Sequence, residues 1–196
     1  MKGIFLVKAK LLIALSLLAV SLAAQEAPPN VPQYTKDGQL IKPENYREWV
    51  YLSSGLGMTY GSPIAKQEDE DFDNVFVTPQ AYKAFLATGT WPDKTMMALE
   101  VRYSASKGSI NKGGRFQDRL AGVEIHLKDE ARFPTTRWAF FGFNGPETTA
   151  KPLAADSVCQ KCHASNGAVD ETFVQFYPTL LPIAKAKGTF KPGTEK

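Results

Sequence analysis

The chain has 196 residues, with 23 lysines and arginines against 20 aspartates and glutamates. Three of the basic residues, Lys2, Lys8 and Lys10, lie in the first ten positions, so the rest of the chain carries equal numbers of the two charges. A nearly neutral chain lacks the basic footprint that nucleic-acid binding requires, which excludes that class of partner.

Residues 1–24 have the pattern of a secretory signal peptide, with lysines before an unbroken apolar stretch and small residues after it. The apolar part is shorter than the roughly 20 residues that span a membrane, although an uncleaved anchor is the alternative. We therefore predict export to the periplasm with removal of residues 1–24. Proline-rich residues 25–36 then form a flexible leader, and residues 37–196 form one domain.

Two segments follow before the first clear helix. Residues 42–52, KPENYREWVYL, predict a short helix with Pro43 in its first turn. The acidic run QEDEDFDN, residues 67–74, predicts a solvated loop.

Residues 75–89, VFVTPQAYKAFLATG, predict a strand end and then a helix. Thr78 is the expected N-cap, Pro79 the first helical residue and Gly89 the stop. The expected buried stripe of this helix is Tyr82, Phe85 and Leu86.

The middle of the chain predicts three strands. Residues 95–105 alternate, with Met97 and Leu99 on one side and Glu100 on the other. Residues 120–129 also alternate, and their polar side, Glu124, His126 and Lys128, is expected to face solvent. Glycine-rich residues 106–118 predict a hairpin loop between these strands, and RWAFFGF is the third strand.

The last part of the chain predicts a helical segment in residues 170–188, interrupted at Pro178 and Pro182. Together these patterns predict an α+β fold, an antiparallel β-sheet with a few packed helices.

The only two cysteines, Cys159 and Cys162, are three positions apart and are followed by His163. C-x-x-C-H is the attachment signature of haem c. Cysteines one helical turn apart can both reach the vinyl groups on one edge of a porphyrin, and the histidine is then the proximal ligand of the iron. The motif therefore predicts haem c attached near the carboxyl terminus.

Three other uses of the cysteines remain open. A thioredoxin-type motif is expected near a βαβ unit, which this region lacks. A zinc site needs four ligands, and the only other histidine, His126, lies on a distant strand. A plain disulfide is the third alternative, since export implies an oxidising compartment.

Six segments resemble the cytochrome P-460 family in order and spacing: DGQLIKPENYREWV, FVTPQAYKAFLATGTW, GVEIHLKDEARF, WAFFGF, CQKCH and FVQFYPTLL. The resemblance extends from about Asp37 to Gly188, and the sister group, cytochrome c'-beta, has the same fold. It implies a β-rich homodimer with one covalent haem per subunit. It also implies iron bound by the protein on one side only, with the open side taking small nitrogen-oxide ligands.

Two departures from the hydroxylamine-oxidising branch of that family bear on function. The branch has a lysine bonded to the porphyrin rim, where this chain has Leu99, which cannot form the bond. Lys94 precedes the strand at the opposite parity and is a poor substitute. An arginine of the branch is replaced here by Asp73. Both departures weaken the case for hydroxylamine turnover and leave the case for haem unchanged.

The candidates for a sixth iron ligand are Met58, Met96, Met97 and His126. Methionines in an apolar strand are usually core residues, so an open site is favoured. The expected distal pocket is mostly apolar. Such a pocket binds neutral diatomic ligands such as nitric oxide in preference to charged ligands, because charges are costly to desolvate. Its expected lining residues are Leu99, Met97, Phe72 and Phe76.

The first functional hypothesis is therefore a periplasmic mono-haem cytochrome that binds nitric oxide. The second is a hydroxylamine-oxidising enzyme, in which Glu124, or else Glu100, accepts a proton. The third is an electron-transfer cytochrome whose sixth position is closed. A redox partner protein is expected in the last two cases.

Overall fold

The computed structural model describes residues 30–59 and 70–194, so the predicted signal peptide lies outside the described residues. Within those ranges the fold is α+β with antiparallel sheets and three α-helices, as predicted. The strands are β1 (Leu40–Ile41), β2 (Val50–Leu56), β3 (Asp71–Val77), β4 (Met96–Ala105), β5 (Phe116–Lys128), β6 (Trp138–Asn144) and β7 (Thr149–Ala150). The helices are α1 (Pro79–Thr88), α2 (Val158–Asn166) and α3 (Leu181–Lys187).

The main sheet has five antiparallel strands in the order β2-β3-β4-β5-β6, so each strand pairs with its neighbours along the chain. Strands β1 and β7 form a separate two-stranded sheet. The register places Val75, Leu99, Glu124 and Gly142 side by side across the main sheet. Because side chains alternate along a strand, this row projects to one face.

The two faces of the main sheet pack against different parts of the chain. One face, with Val77 and Met97, packs against α1 and the carboxyl-terminal segment. The other face, with Met96, Ile125 and Phe141, packs against β1 and the region of Tyr46. Only the first face contributes to the cavity described below.

Helix α1 has the predicted bounds. Pro79 is its first residue, and Gly89 ends it in a left-handed conformation with its N–H on the Phe85 carbonyl, 2.7 Å away. Phe85 is buried, with its ring centroid 4.2 Å from that of Trp91. The prediction for Leu86 is wrong, because it is 40% exposed. It lies one residue further round the helix than Phe85 and points away from the sheet.

Two predictions in the amino-terminal half are corrected. The segment 42–52 forms only a single 3-10 turn, Tyr46–Glu48, and then becomes β2. The acidic run is not all loop, since β3 begins at Asp71 and pairs with both β2 and β4. Pairing on both sides satisfies the backbone of β3, so its acidic composition does not prevent a strand.

At the carboxyl end, Pro178 separates a 3-10 turn, Val174–Phe176, from α3, as predicted. Pro182 does not interrupt a helix; it lies in the first turn of α3, where a missing N–H costs nothing. No helix in the described ranges is long and apolar enough to cross a membrane.

The described part of the predicted leader, residues 30–36, packs on the domain. Asn30 accepts a hydrogen bond from the Trp49 indole at 3.0 Å, and the Tyr34 hydroxyl donates to Asp129 at 3.1 Å. The packed unit therefore begins before Asp37.

Candidate functional site

Helix α2 presents the cysteine motif. The Ser157 hydroxyl accepts from the Gln160 amide at 3.3 Å and so caps the helix start. Cys159 and Cys162 lie one turn apart, are half-buried, and are not bonded to each other. Both thiols and the ring of His163 line the same cavity.

The cavity lies between α2 and one face of the main sheet and has a volume of about 520 Å³. This is within the range of small-molecule and cofactor sites. Its sheet side includes Asp73, Val75, Met97, Leu99, Glu124 and His126. Segments after α2 contribute Phe173 and Tyr177.

The His163 ring is held in one orientation. Nδ1 lies 2.9 Å from the carbonyl oxygen of Glu171, which can only accept, so Nδ1 carries the hydrogen. The rings of Phe173 and Phe140 contact it at centroid distances of 4.2 and 4.7 Å. Burial lowers the pKa of His163, although the hydrogen bond to Glu171 opposes that effect. A neutral ring protonated at Nδ1 leaves the Nε2 lone pair available for a metal.

The other uses of the cysteines gain no support from this geometry. Burial, followed by the charge of Glu124, raises the pKa of the Cys159 thiol, whereas redox-active thiols have lowered pKa values. In the described part of the chain, no group of three or more His, Cys, Asp and Glu could hold a metal ion. The two sulfur atoms form no disulfide.

Comparison with known families agrees with this geometry. The family described as Cytochrome P460 matches residues 43–174, more than half of the chain. The chain belongs to the cytochrome P460 family. No curated protein matches it. Membership in the cytochrome P460 family indicates a haem-binding cytochrome.

The residues present fit a haem of the cytochrome P460 family. The cavity wall is largely apolar, as a porphyrin requires, and two unbonded thiols and one imidazole reach it from the same helix. The Nδ1 partner of His163 orients the opposite nitrogen for ligation.

His126 does not face solvent, which corrects the sequence prediction. It is 7% exposed and stacks on Phe140 with ring centroids 4.0 Å apart, because α2 and the chain after it cover this face of the sheet. Its centroid lies 4.7 Å from that of His163. The ring centroids of two imidazoles that bind one iron from opposite sides would be roughly 6 Å apart, given metal–nitrogen bonds of about 2 Å. The two rings are therefore too close together to bind one iron from opposite sides.

The apolar wall differs in part from the prediction. Of the four residues predicted for the distal pocket, Met97 and Leu99 line the cavity, whereas Phe72 and Phe76 do not. Phe76 packs against the opposite core, with its ring 6.0 Å from Tyr46. Phe72 has the same parity on β3, and the odd-numbered Asp73 and Val75 take the cavity side.

The other candidates for a sixth ligand lie on different faces of the main sheet. Met58 lines the cavity, whereas Met96 is buried in the core on the other face of the sheet. Lys94 does not line the cavity and pairs with Asp129 in a surface groove. Leu99 lies on the cavity wall.

Two carboxylates, Asp73 and Glu124, lie on the cavity wall. Burial, then the charges of Asp71 and Glu124, raises the pKa of Asp73 to about 6. Glu124 keeps an exposed surface, yet its partial burial by the surrounding protein raises its pKa. Glu100 lies on the opposite face, where Tyr46, Arg47 and Arg102 bind its carboxylate.

The backbone around Gly167, behind His163, is packed so tightly that an added Cβ would force it to shift. A Cβ there would lie 2.6 Å from the Glu171 carbonyl carbon and 2.7 Å from the His163 oxygen, both backbone atoms. We expect Gly167→Ala to destabilise the fold by about 1–3 kcal/mol, the usual cost of overpacking. Denaturant unfolding measures the change, with Gly113→Ala as control because nothing lies within 4 Å of its added Cβ. Equal stability of the two variants would contradict this packing.

Proposed function

We propose that the protein is a periplasmic c-type cytochrome that binds nitric oxide, or a similar small nitrogen-oxide ligand, at a five-coordinate haem iron. Cys159 and Cys162 hold one haem per chain through thioether bonds, and His163 is the proximal ligand. The observation that carries this proposal is that both thiols and His163 reach one cavity, with the His163 ring oriented by Glu171.

The bound haem supplies an iron centre that takes small ligands and changes oxidation state. The chain's own residues select the ligand. Val75, Met97 and Leu99 present apolar surface that keeps hydrated molecules out. Asp73 and Glu124 add two carboxylates to the same wall, and these repel anions when they are ionised. Neutral diatomic ligands are favoured by both effects.

The ferrous protein tests the proposal directly. We expect a broad high-spin Soret band, a shift of that band on addition of nitric oxide or carbon monoxide, and no displacement of a protein ligand. Sharp low-spin α and β bands before ligand addition would contradict an open iron. They would favour the electron-transfer cytochrome instead, with Met58 or Met97 from the cavity wall as the sixth ligand.

The position of Glu124 favours a second candidate function, hydroxylamine oxidation. A carboxylate on the cavity wall whose pKa is raised is a stronger base than an ordinary carboxylate, which suits a proton acceptor. Hydroxylamine supplied with an electron acceptor separates the candidates. The enzyme would turn over and lose turnover in Glu124→Gln, whereas the carrier would bind without turnover.

Location and assembly complete the proposal. Export rests on the signal-peptide pattern of residues 1–24. A homodimer is inferred from the family resemblance, and a redox partner protein is proposed if the iron cycles between oxidation states.

A further inference from the structure

We propose that Asp170 and Glu171 are positioning residues for His163, acting through the Glu171 carbonyl that accepts the Nδ1 hydrogen. This inference rests on the proposed ligation of haem by His163. Neither residue lines the cavity, so their effect on the site is indirect.

The two residues form a turn in a conformation that L-amino acids rarely adopt. Their φ angles are 46° and 62°, in the left-handed region. The flanking backbone closes on itself, since the Thr172 amide donates to the Val169 carbonyl at 2.9 Å. The Trp91 indole in turn donates to the Thr172 hydroxyl at 2.8 Å. Such a conformation persists only where its surroundings hold it.

Asp170 ties the turn to the sheet. Its carboxylate lies 2.6 Å from Lys128 Nζ and 2.9 Å from Arg137 Nη2. Lys128 was expected to face solvent, but its side chain is 8% exposed and also donates to the Trp91 carbonyl at 2.8 Å. Removing one partner of a buried ion pair leaves an uncompensated charge, so Asp170 and Lys128 hold each other in place.

Glu171 ties the same turn to α2. Gln160, which lies between the two cysteines of the motif, donates to Glu171 Oε2 at 2.8 Å, and Arg137 Nη2 lies 3.5 Å from Oε1. Three residues therefore hold the turn and with it the direction of the Glu171 carbonyl. They are Lys128 at the end of β5, Arg137 just before β6, and Gln160 in the helix that carries His163.

This arrangement has a consequence for the ligand itself. An imidazole that donates its second N–H to a fixed acceptor is a stronger and better oriented metal ligand. Hydrogen bonds to the axial ligand also set the reduction potential of a haem. Loosening the turn should therefore weaken the iron–imidazole bond and raise the potential.

The experiment measures the iron–imidazole stretching band of the ferrous protein by resonance Raman, together with its reduction potential. In Asp170→Asn and Glu171→Ala we expect a lower frequency and a more positive potential than in the wild type. Glu171→Gln keeps an acceptor for Gln160 and should restore most of the wild-type values. Asp129→Asn is the matched control, since it removes a buried carboxylate paired with Lys94 outside the cavity.

The outcomes separate the two proposals. Haem-containing variants whose band and potential equal those of the wild type would overturn the positioning role, even if their melting temperatures fall. A wild-type protein without attached haem, or without an iron–imidazole band, would overturn both the proposed function and this inference. If Asp170→Asn does not fold, Glu171→Ala and Gln160→Met give the same test from the α2 side.

Discussion

Replacing both Cys159 and Cys162 by alanine should abolish covalent haem attachment. The two thiols are the only cysteines of the chain, and both reach the cavity that we assign to the haem. Without thioether bonds, any remaining pigment is held only by His163 and apolar contact. A denaturing gel stained for haem should lose the band entirely, and acidified organic solvent should extract any pigment from the purified protein.

Ser165→Ala is the control for this variant. Ser165 lies exposed on the same helix, and only its backbone carbonyl accepts a hydrogen bond, from Lys191 at 2.8 Å. It should retain the full haem stain, and each single alanine variant should retain one thioether bond. A double variant that still keeps its stain through denaturation would contradict attachment at these cysteines.

The local features of this site follow from the sequence alone. The spacing of Cys159, Cys162 and His163 identifies the attachment motif without any knowledge of the fold, because one helical turn sets the distance between the thiols. Alternation likewise places Met97 and Leu99 on one side of β4, and both line the cavity. Such signals depend only on residues within a few positions of each other.

Face assignments need information that lies elsewhere in the chain. Alternation separates His126 and Lys128 from their apolar neighbours but does not say which side α2 will cover. Lys128 is buried against an ion-pair partner, Asp170, that lies 42 positions away along the chain. The residues near Lys128 therefore do not predict its burial. The turn that orients His163 is only eight positions away, but nothing in the residues around 163 predicts a bond to the Glu171 carbonyl.

The placement of Phe72 and Phe76 is a face assignment of the same kind. Their apolar character predicts a position on the cavity wall, although both have the opposite parity to Val75. Once Val75 is placed on the cavity side, strand alternation moves Asp73 there and both phenylalanines away. The acidic composition of residues 67–74 predicts a loop, and a loop assigns no face to Phe72 or Asp73.

The pair Asp73 and Glu124 should control which ligands the ferric protein accepts. A carboxylate in a partly desolvated cavity weakens the binding of an anion there by about 1–2 kcal/mol, at an effective dielectric constant near 20. This corresponds to a roughly tenfold loss of affinity for the anion. We expect the double variant Asp73→Asn, Glu124→Gln to bind fluoride roughly 100-fold more tightly at pH 8. The affinity of the ferrous protein for nitric oxide should not change, because that ligand is neutral. Optical titration with each ligand measures both.

The wild-type protein should show the same effect as a pH dependence. The pKa of Asp73 is raised to about 6, so this carboxyl is charged at pH 8 and becomes neutral as the pH falls through 6. Fluoride affinity should therefore rise about tenfold between pH 8 and pH 5, the effect of one removed charge, and Asp73→Asn should abolish most of this rise. Asp118→Asn, which neutralises an exposed carboxylate on β5, should keep it. A fluoride affinity independent of both pH and Asp73 would show that the carboxylate does not face the ligand, and the electrostatic part of the selectivity would then have to be assigned to other residues.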